Sequence, residues 1–217
     1  MKILILGGGG MLGPHLIETL EDHYTLRVTD IVPIDTPHET MQVDVANLDQ
    51  VKTAAEGMDV IVNCSVLRTD RKVAFDVNSL GTYNAMRAAV DQKMTRFINT
   101  GPHYSVAGPR YYAYDFNIST EVPAHPGVGN LYAMSKSAGI AICDAFALNH
   151  PIHVVSVLMY HFDGPRASVT IKHTLEVDLA RLPSRHEKFW VDHDPPYGRL
   201  DTSKAEFLLG MTWPLSR

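Results

Sequence analysis

The first fourteen residues constrain the fold more than any other part of the sequence. The apolar run Lys2–Leu6 leads directly into glycines at positions 7, 10 and 13, and Pro14 follows the last of them. Glycine lets a backbone turn tightly and approach another group closely, and proline is tolerated in the first turn of a helix. The pattern therefore predicts a strand, a turn and a helix N-terminus that together hold the pyrophosphate of a dinucleotide. The turn residues expected at that pyrophosphate are Gly7, Gly10, Met11, Leu12 and Gly13.

A carboxylate follows at the position where a dinucleotide site uses one. The second apolar run, 25–30, ends at Asp30, 20 residues after Gly10. A carboxylate at the end of the second strand accepts hydrogen bonds from the adenosine ribose and repels a 2′-phosphate. Since no arginine follows Asp30 directly, the sequence favours NAD over NADP. Asp44 and Val45, after a third short strand, are expected at the adenine.

Apolar runs of strand length alternate with helical patterns as far as residue 160. Besides the third short strand, the predicted strands are 2–6, 25–30, 59–64, 96–100 and 152–158, and the predicted helices are 13–22, 48–56, 73–92 and 131–149. Such alternation predicts an α/β fold with a parallel sheet covered by helices on both faces. We expect residues 1–162 to form the cofactor-binding domain. Residues 163–217, where the pattern is weaker, are expected to form a small substrate lobe that is not an independent domain.

The composition excludes several classes of protein. The formal net charge of −5 and the pI of about 6.1 argue against a nucleic-acid partner. No apolar run approaches the roughly 18 residues of a membrane span, so no membrane partner is expected. Two cysteines, Cys64 and Cys143, make no disulfide framework, and we expect a cytoplasmic protein in which both pack as small apolar side chains. The histidines and aspartates at 173, 186 and 192–194 match no short metal motif, so no metal is predicted.

A tyrosine and a lysine supply the candidate chemistry. Tyr132 and Lys136 are four residues apart at the start of helix 131–149, which places both on one helical face. An ammonium beside a phenol favours the phenolate, and a phenol tuned in this way can take or give the proton of an alcohol or carbonyl during hydride transfer. The spacing alone is common on helix surfaces. Its weight comes from its place after the fifth strand and after the long glycine-, proline- and tyrosine-rich stretch 101–130.

In combination these residues resemble the extended short-chain dehydrogenase/reductase family, specifically its NAD-dependent epimerase/dehydratase group. The similar pieces, in family order, are the glycine turn, Asp30, Asp44–Val45, 63–65, 77–82, Tyr132 with Lys136, 158–160 with 164–165, and 201–214. The resemblance implies a Rossmann-type doubly wound fold, NAD as cofactor, and Tyr132 as the acid/base assisted by Lys136. It also implies that Tyr160 and the backbone near Cys64 and Ser65 approach the cofactor. Tyr132 and Lys136 are expected at the cofactor as well, with Lys136 as a hydrogen-bond donor to the nicotinamide ribose. Because family members often dimerise through the helices that are here 73–92 and 131–149, a homodimer is expected.

One departure from the family concerns the hydrogen-bond donor to the reacting oxygen. The family usually places a serine or threonine a few residues after the fifth strand. Counting forward from the strand puts that position at Pro102, which has no donor, and counting back from 106–108 puts it at His103. His103 is therefore the candidate catalytic donor, and Thr100 and Ser105 are the alternatives. The non-catalytic alternative is that His103 is an ordinary loop histidine in contact with water.

The second departure is the short segment after the sixth strand, which suits a small substrate better than a nucleotide-sugar. The predicted function is an NAD-dependent oxidoreductase or epimerase that acts on a secondary alcohol of a small carbohydrate or sugar acid. Uronate-type dehydrogenases are compact members of the family that the chain resembles. The alternative is a catalytically silent dinucleotide-binding regulator or redox sensor, against which the retained Tyr132 and Lys136 speak. Arg68, Arg71 and Lys72 form either a solvated turn or a contact to an anionic substrate.

Overall fold

A single parallel sheet organises the chain. The computed structural model describes residues 1–69, 71–106, 116–121, 130–160, 162–192 and 198–212. Within them the sheet has the order β3-β2-β1-β4-β5-β6-β7, and every neighbouring pair is parallel. The strands are β1 (Lys2–Leu6), β2 (Thr25–Asp30), β3 (Glu39–Gln42), β4 (Val60–Asn63), β5 (Arg96–Pro102), β6 (His153–Met159) and β7 (His186–Trp190). The order reverses between β1 and β4, which opens a crevice at the carboxyl ends of these strands, where such folds bind ligands.

The helices cover both faces of the sheet. They are α1 (Gly13–Leu20), α2 (Leu48–Ala55), α3 (Lys72–Phe75), α4 (Gly81–Asp91), α5 (Leu131–Asn149), α6 (Gly164–Glu176) and α7 (Ser203–Leu209), and a π-helical turn, Asp76–Leu80, joins α3 to α4. Side chains of β1 alternate between the two cores: Ile3 and Ile5 pack under α1 and α6, and Leu4 and Leu6 pack under α2, α4 and α5. The four are fully buried, as expected for a central strand of a parallel sheet. The predicted doubly wound α/β fold is confirmed.

The C-terminal part of the chain contains a strand that the sequence does not predict. β7 pairs with β6, and its Glu187 is buried, where it forms an ion pair with Lys204 and accepts a hydrogen bond from the Ser184 amide. A charged residue in a strand hides the apolar pattern, and its burial is tolerated only with a partner such as Lys204. The segment expected as a small lobe thus adds β7 to the sheet, and α6 packs against α1.

Helix α5 is, in the described part of the chain, the one helix long and apolar enough to cross a membrane, with a mean hydropathy of 1.2. Half of that stretch is buried inside the protein, and the core helix of a globular protein meets the same criteria. The buried side is made by Cys143, Phe146 and Ala147, which belong to the core under α2 and α4.

Candidate active site

The glycine turn after β1 has the geometry of a cofactor cradle. Gly7 has φ +79°, and a Cβ there would lie 2.7 Å from the backbone nitrogen of Ser65. A Cβ on Gly13 would lie 1.7 Å from the Gly8 carbonyl oxygen, so only glycine allows α1 to begin directly under the turn. No side chain caps the N-terminus of α1, whose N-cap residue is Leu12. Its first amide groups are therefore left without a side-chain acceptor, as in a phosphate-binding turn.

Asp30 lies at the mouth of this turn. Its Oδ2 accepts a hydrogen bond of 3.0 Å from the Gly9 amide, and its Oδ1 accepts one of 2.7 Å from the Ile31 amide. Oδ1 also accepts a longer hydrogen bond of 3.4 Å from the Val32 amide. A carboxylate has about four acceptor sites, so Oδ2 keeps acceptor capacity for a ribose hydroxyl. The Asp30 carbonyl oxygen accepts a hydrogen bond from the Val43 amide, so the segment that leads to Asp44 runs beside the end of β2.

Asp44 and Val45 form the turn that leads into α2. The Ala46 backbone amide donates to Asp44 Oδ1 at 2.9 Å, and the Val45 carbonyl accepts from the side-chain Nδ2 of Asn84 at 2.9 Å. The Val45 side chain is buried against Gly81, and a Cβ added to Gly81 would lie 2.7 Å from Cγ2 of Val45. The structure therefore places both predicted residues in the turn that follows the carboxyl end of β3.

A cleft of about 220 Å³ opens between the glycine turn, the loops after β4 and β5, the start of α5 and the end of β6. Its lining includes seven of the residues predicted for the site: Gly10, Met11, Leu12, Cys64, Tyr132, Lys136 and Tyr160. Arg68, Thr100, Pro102, Tyr104, Met159 and Phe162 also line it. The candidate catalytic pair and the candidate cofactor turn thus share one cavity.

Lys136 is fixed at the base of this cleft. Its Nζ donates to the carbonyl oxygens of Ser65 at 2.8 Å and Thr100 at 3.3 Å, and the side chain is buried. Burial is the main cause that lowers the pKa of Lys136 to about 8; Cys64 opposes this shift, and the positive charge of Arg68 adds to it. The side chain remains mostly an ammonium at neutral pH, in a position where it favours a negative charge on a nearby phenol.

Tyr132 stands one helical turn before Lys136, on the same face of α5. Asn130 caps this helix, because its Oδ1 accepts a hydrogen bond of 2.8 Å from the Ala133 amide. The half-buried Tyr132 ring lines the cleft, and its centroid lies 6.1 Å from that of Tyr104 with the two planes nearly perpendicular. The wall also contains Cys64, whose pKa is raised to about 12 by burial. That thiol therefore stays protonated and unreactive at neutral pH.

Asn78, which lies in the family-like segment 77–82, is a positioning residue. It lies in the π-helical turn and is fully buried. Its Nδ2 donates to the Leu67 carbonyl at 2.8 Å and to Ser135 Oγ at 2.9 Å, and its Oδ1 accepts from the Leu67 amide at 3.1 Å. The side chain thereby ties the loop after β4 to α5. An asparagine within an apolar helical stretch is the sequence signal that could have revealed this role.

The structure does not place His103 among the residues that line the cleft, although Pro102 and Tyr104 on either side line it. The His103 residue is 5% exposed, and its ring packs edge-on against Tyr104 at 5.0 Å and Tyr160 at 4.8 Å. The two alternative donors are engaged elsewhere, since the Thr100 hydroxyl donates to the Asn63 carbonyl and the Ser105 hydroxyl donates to the Pro102 carbonyl.

The late histidines and aspartates form no metal site in the described residues, where no group of three or more potential ligands comes together. His193 and Asp194 lie outside those residues. His186 instead lies between Asp144 and Ser156: its Nδ1 is 2.6 Å from Asp144 Oδ1, and its Nε2 is 2.8 Å from Ser156 Oγ. This arrangement links α5 to β6 and β7 and leaves the ring no free nitrogen for a metal.

Residues 3–189 match the model of the NAD dependent epimerase/dehydratase family. The chain belongs to this family. The match covers the glycine turn, Asp30, the whole cleft lining and all seven strands except Lys2 of β1 and Trp190 of β7. The predicted family is confirmed, and so is NAD as the cofactor that the family uses.

Individual relatives agree with this assignment. A 3-beta-hydroxysteroid dehydrogenase from Mycolicibacterium neoaurum is 30% identical over 122 residues, which cover 49% of this chain and 33% of that protein. An NAD-dependent glucose-6-phosphate dehydrogenase from Haloferax volcanii is 24% identical over 71% of this chain and 66% of its own. A uronate dehydrogenase from Agrobacterium tumefaciens, solved in complex with NAD, superposes with a TM-score of 0.78 at 21% identity, over 96% of this chain and 83% of that one. The chain thus spans about a third of the hydroxysteroid dehydrogenase and 83% of the uronate dehydrogenase chain.

Proposed function

We propose that this protein is an NAD-dependent oxidoreductase or epimerase that acts on a secondary alcohol of a small carbohydrate or sugar acid. The observation that carries the proposal is the shared cleft, in which Tyr132 and the buried Lys136 stand beside the glycine turn. A regulator that only binds a dinucleotide has no use for a phenol and a fixed ammonium in that position. The small cleft and the similarity to uronate and glucose-6-phosphate dehydrogenases support a small sugar or sugar acid as substrate.

The described residues fit NAD. The amides at the start of α1 would hold the pyrophosphate, with the turn residues Gly7, Gly10, Met11, Leu12 and Gly13 around it. Asp30 would accept the ribose hydroxyls, Asp44 and Val45 would flank the adenine, and Cys64, Ser65 and Tyr160 would approach the nicotinamide end. Bound NAD supplies the hydride acceptor and donor for the carbon of the substrate alcohol.

Tyr132 performs the proton transfer in this proposal. Its phenolate takes the proton of the substrate hydroxyl as the alcohol becomes a ketone, and its phenol returns a proton when a ketone is reduced. The Lys136 ammonium stabilises the phenolate by its charge, and its two carbonyl partners hold it in place. A dehydrogenase uses the transfer once. An epimerase uses it twice, with the ketone turned over between the two steps.

We propose a homodimer formed through helices 73–92 and 131–149 and a cytoplasmic location. Cys64 and Cys143 are free and buried, which is consistent with a reducing compartment.

The experiment is a comparison of the wild type with Tyr132→Phe on a panel of sugars, sugar acids and nucleotide-sugars. NADH formation reports dehydrogenation, and chromatography of the products reports epimerisation. We expect Tyr132→Phe to lower kcat by roughly 10²- to 10⁴-fold, the usual contribution of a positioned acid/base. NAD affinity, measured by calorimetry, should stay close to that of the wild type.

The matched control is Tyr24→Phe, which removes a phenol hydroxyl whose partner is Glu176, away from the cleft. It should keep wild-type turnover. Undiminished turnover by Tyr132→Phe would refute the mechanism. Tight NAD binding by a wild type that converts nothing on the panel would favour the silent regulator instead.

A further inference from the structure

The candidate acid/base stands at the end of a helix. Tyr132 is the second residue of α5, so its backbone lies in the first turn, and helix ends fray more readily than helix interiors. Asn130 caps this turn, but a cap fixes the turn only relative to its own helix. Proton transfer requires the phenol in one place, since a displacement of about 1 Å can lower a rate by roughly 10²-fold. An anchor between this turn and a neighbouring element therefore affects the reaction.

Ser135 provides such an anchor. It is fully buried, one residue before Lys136 and three residues after Tyr132. Its hydroxyl donates a hydrogen bond of 2.8 Å to the Tyr132 carbonyl and accepts one of 2.9 Å from Nδ2 of Asn78. The Ser135 carbonyl also accepts a hydrogen bond of 2.9 Å from the Ser79 hydroxyl. Both the side chain and the backbone of Ser135 thus join the first turn of α5 to the π-helical turn.

The π-helical turn also holds another wall of the cleft. Asn78 binds both backbone groups of Leu67, the carbonyl at 2.8 Å and the amide at 3.1 Å. The residues on either side of Leu67 are Val66 and Arg68, and both line the cleft. The Ser135 hydroxyl therefore connects the candidate acid/base, through one asparagine side chain, to the loop after β4. Single π-helical turns within helices are frequent at functional sites.

We propose that Ser135 is a positioning residue for proton transfer: its hydroxyl holds the backbone of Tyr132 to Asn78 and so fixes the phenol relative to the loop after β4. The inference rests on the proposed function. Ser135 is buried beneath the cleft lining, and its own proton stays on its oxygen, while the substrate proton passes to Tyr132. Loss of the hydroxyl would free the Tyr132 carbonyl from this bond and leave one hydrogen of Asn78 Nδ2 without its acceptor.

Ser135→Ala tests the inference because it removes only the hydroxyl. We expect kcat to fall by about 10- to 100-fold as the phenol loses its position. The KM of the substrate and the Kd of NAD, the latter from calorimetry without turnover, should change less than about threefold. Hydrogen exchange at the start of α5, followed by mass spectrometry without cofactor or substrate, should become faster. This last measurement reports on the anchor itself and does not depend on turnover.

Ser156→Ala is the matched control. Ser156 is also fully buried, and its hydroxyl lies 2.8 Å from Nε2 of His186, which links β6 to β7. The control thus loses a buried hydrogen bond as well, and its urea midpoint should fall like that of Ser135→Ala. Its kcat should stay within twofold of the wild type, and hydrogen exchange at the start of α5 should stay unchanged.

Several outcomes overturn the inference. One is a kcat of Ser135→Ala within twofold of the wild type, and another is a fall in kcat without faster exchange at the start of α5. A fall in kcat that is matched by a loss of NAD affinity, or by an equal fall in Ser156→Ala, also overturns it. If Tyr132→Phe is inactive and Ser135→Ala is fully active, only this inference fails, whereas a wild type without turnover refutes the proposed function and this inference with it.

Discussion

The ammonium nitrogen of Lys136 lies 2.8 Å from the carbonyl oxygen of Ser65, so the helix that carries Tyr132 is joined to the loop that follows β4. A second bond, to the Thr100 carbonyl on β5, makes Lys136 the meeting point of three elements. Both acceptors are neutral carbonyls. The ammonium is thus hydrogen-bonded, but no carboxylate neutralises its charge. Burial of this charge therefore lowers the free energy of unfolding.

This cost predicts how stability depends on pH. Folding lowers the pKa of Lys136 from 10.5 to about 8, so between these values the unfolded chain holds a proton that the folded chain lacks. The stability contribution of Lys136 is unfavourable below pH 8 and improves as the pH rises toward 10.5. We expect the free energy of unfolding of the wild type, relative to Lys136→Met, to rise by about 2 to 3 kcal/mol between pH 7 and pH 10.

Urea unfolding of both proteins at several pH values measures this difference. Cys64 and Cys143, whose pKa values are raised by burial, titrate in both proteins. Their effect on stability has the opposite sign, and it largely cancels in the comparison. A difference that is constant over the range would show that the Lys136 ammonium is not destabilised by folding.

Asp30 is predicted to determine the choice of cofactor. Asp30→Asn keeps an acceptor for the Gly9 amide but removes the negative charge beside the glycine turn. A hydrogen bond to a charged group contributes about 1.5 to 3 kcal/mol, so we expect NAD to bind at least tenfold more weakly. NADP should bind more tightly than to the wild type, because its 2′-phosphate no longer meets a carboxylate. Calorimetric titration with each cofactor gives the ratio, and Asp35→Asn, an exposed carboxylate on the following loop, should leave it unchanged.

The fold was predictable where a few neighbouring residues determine it. The glycine turn, Pro14 and the following helix form one local unit, and helix 131–149 has the predicted bounds. β7 was not predictable, because the partner that lets Glu187 be buried in it is Lys204, which comes from a later helix. Only the folded chain brings the two together.

The site was predictable by region but not to the single residue. Motif spacing places the missing donor near 102–103, yet neighbouring residues of a turn point in different directions. In the structure the His103 ring is buried, and the residues that line the cleft are its neighbours Pro102 and Tyr104. Which residue of such a stretch lines a cavity depends on packing against distant elements, here Met159 and Tyr160 at the end of β6.

Arg68 is predicted to select anionic substrates. Its guanidinium lines the cleft, where Nη1 lies 3.3 Å from the sulfur of Met11. A thioether is a weak acceptor, so most of the five donors remain available for a carboxylate or phosphate. No carboxylate side chain lines the cleft in the described part of the chain.

We expect Arg68→Met to raise the KM of a sugar acid or sugar phosphate by tenfold or more, equivalent to about 1.4 kcal/mol, and to leave the KM of the matching neutral sugar nearly unchanged. Steady-state kinetics on the pairs measures the effect, and the Kd of NAD separates it from an effect on cofactor binding. Arg71→Met, an exposed arginine three residues further along, is the control. Equal effects on neutral and anionic substrates would contradict the prediction.

The proposed dimer makes a prediction about the outer face of two helices. Val73, Leu80 and Tyr83 lie on α3, the π-helical turn and α4, and each is 42% exposed. Tyr83 contacts Phe146 of the neighbouring helix α5, at 5.6 Å between ring centroids. Apolar side chains left exposed on adjoining helices are typical of an interface.

A glutamate at position 80 would place a charge in such an interface without disturbing the core. We therefore expect the wild type to have twice the mass of the chain in light scattering and Leu80→Glu to have the mass of a single chain, with the same secondary structure by circular dichroism. Phe207→Glu is the control, because Phe207 is 77% exposed on α7, outside this face, and it should stay dimeric. A wild type that remains a single chain at micromolar concentration would remove the dimer from the proposal. In that case the exposure of Leu80 and Tyr83 would call for another partner on the same face, since single apolar residues on a surface are ordinary but a continuous group is not.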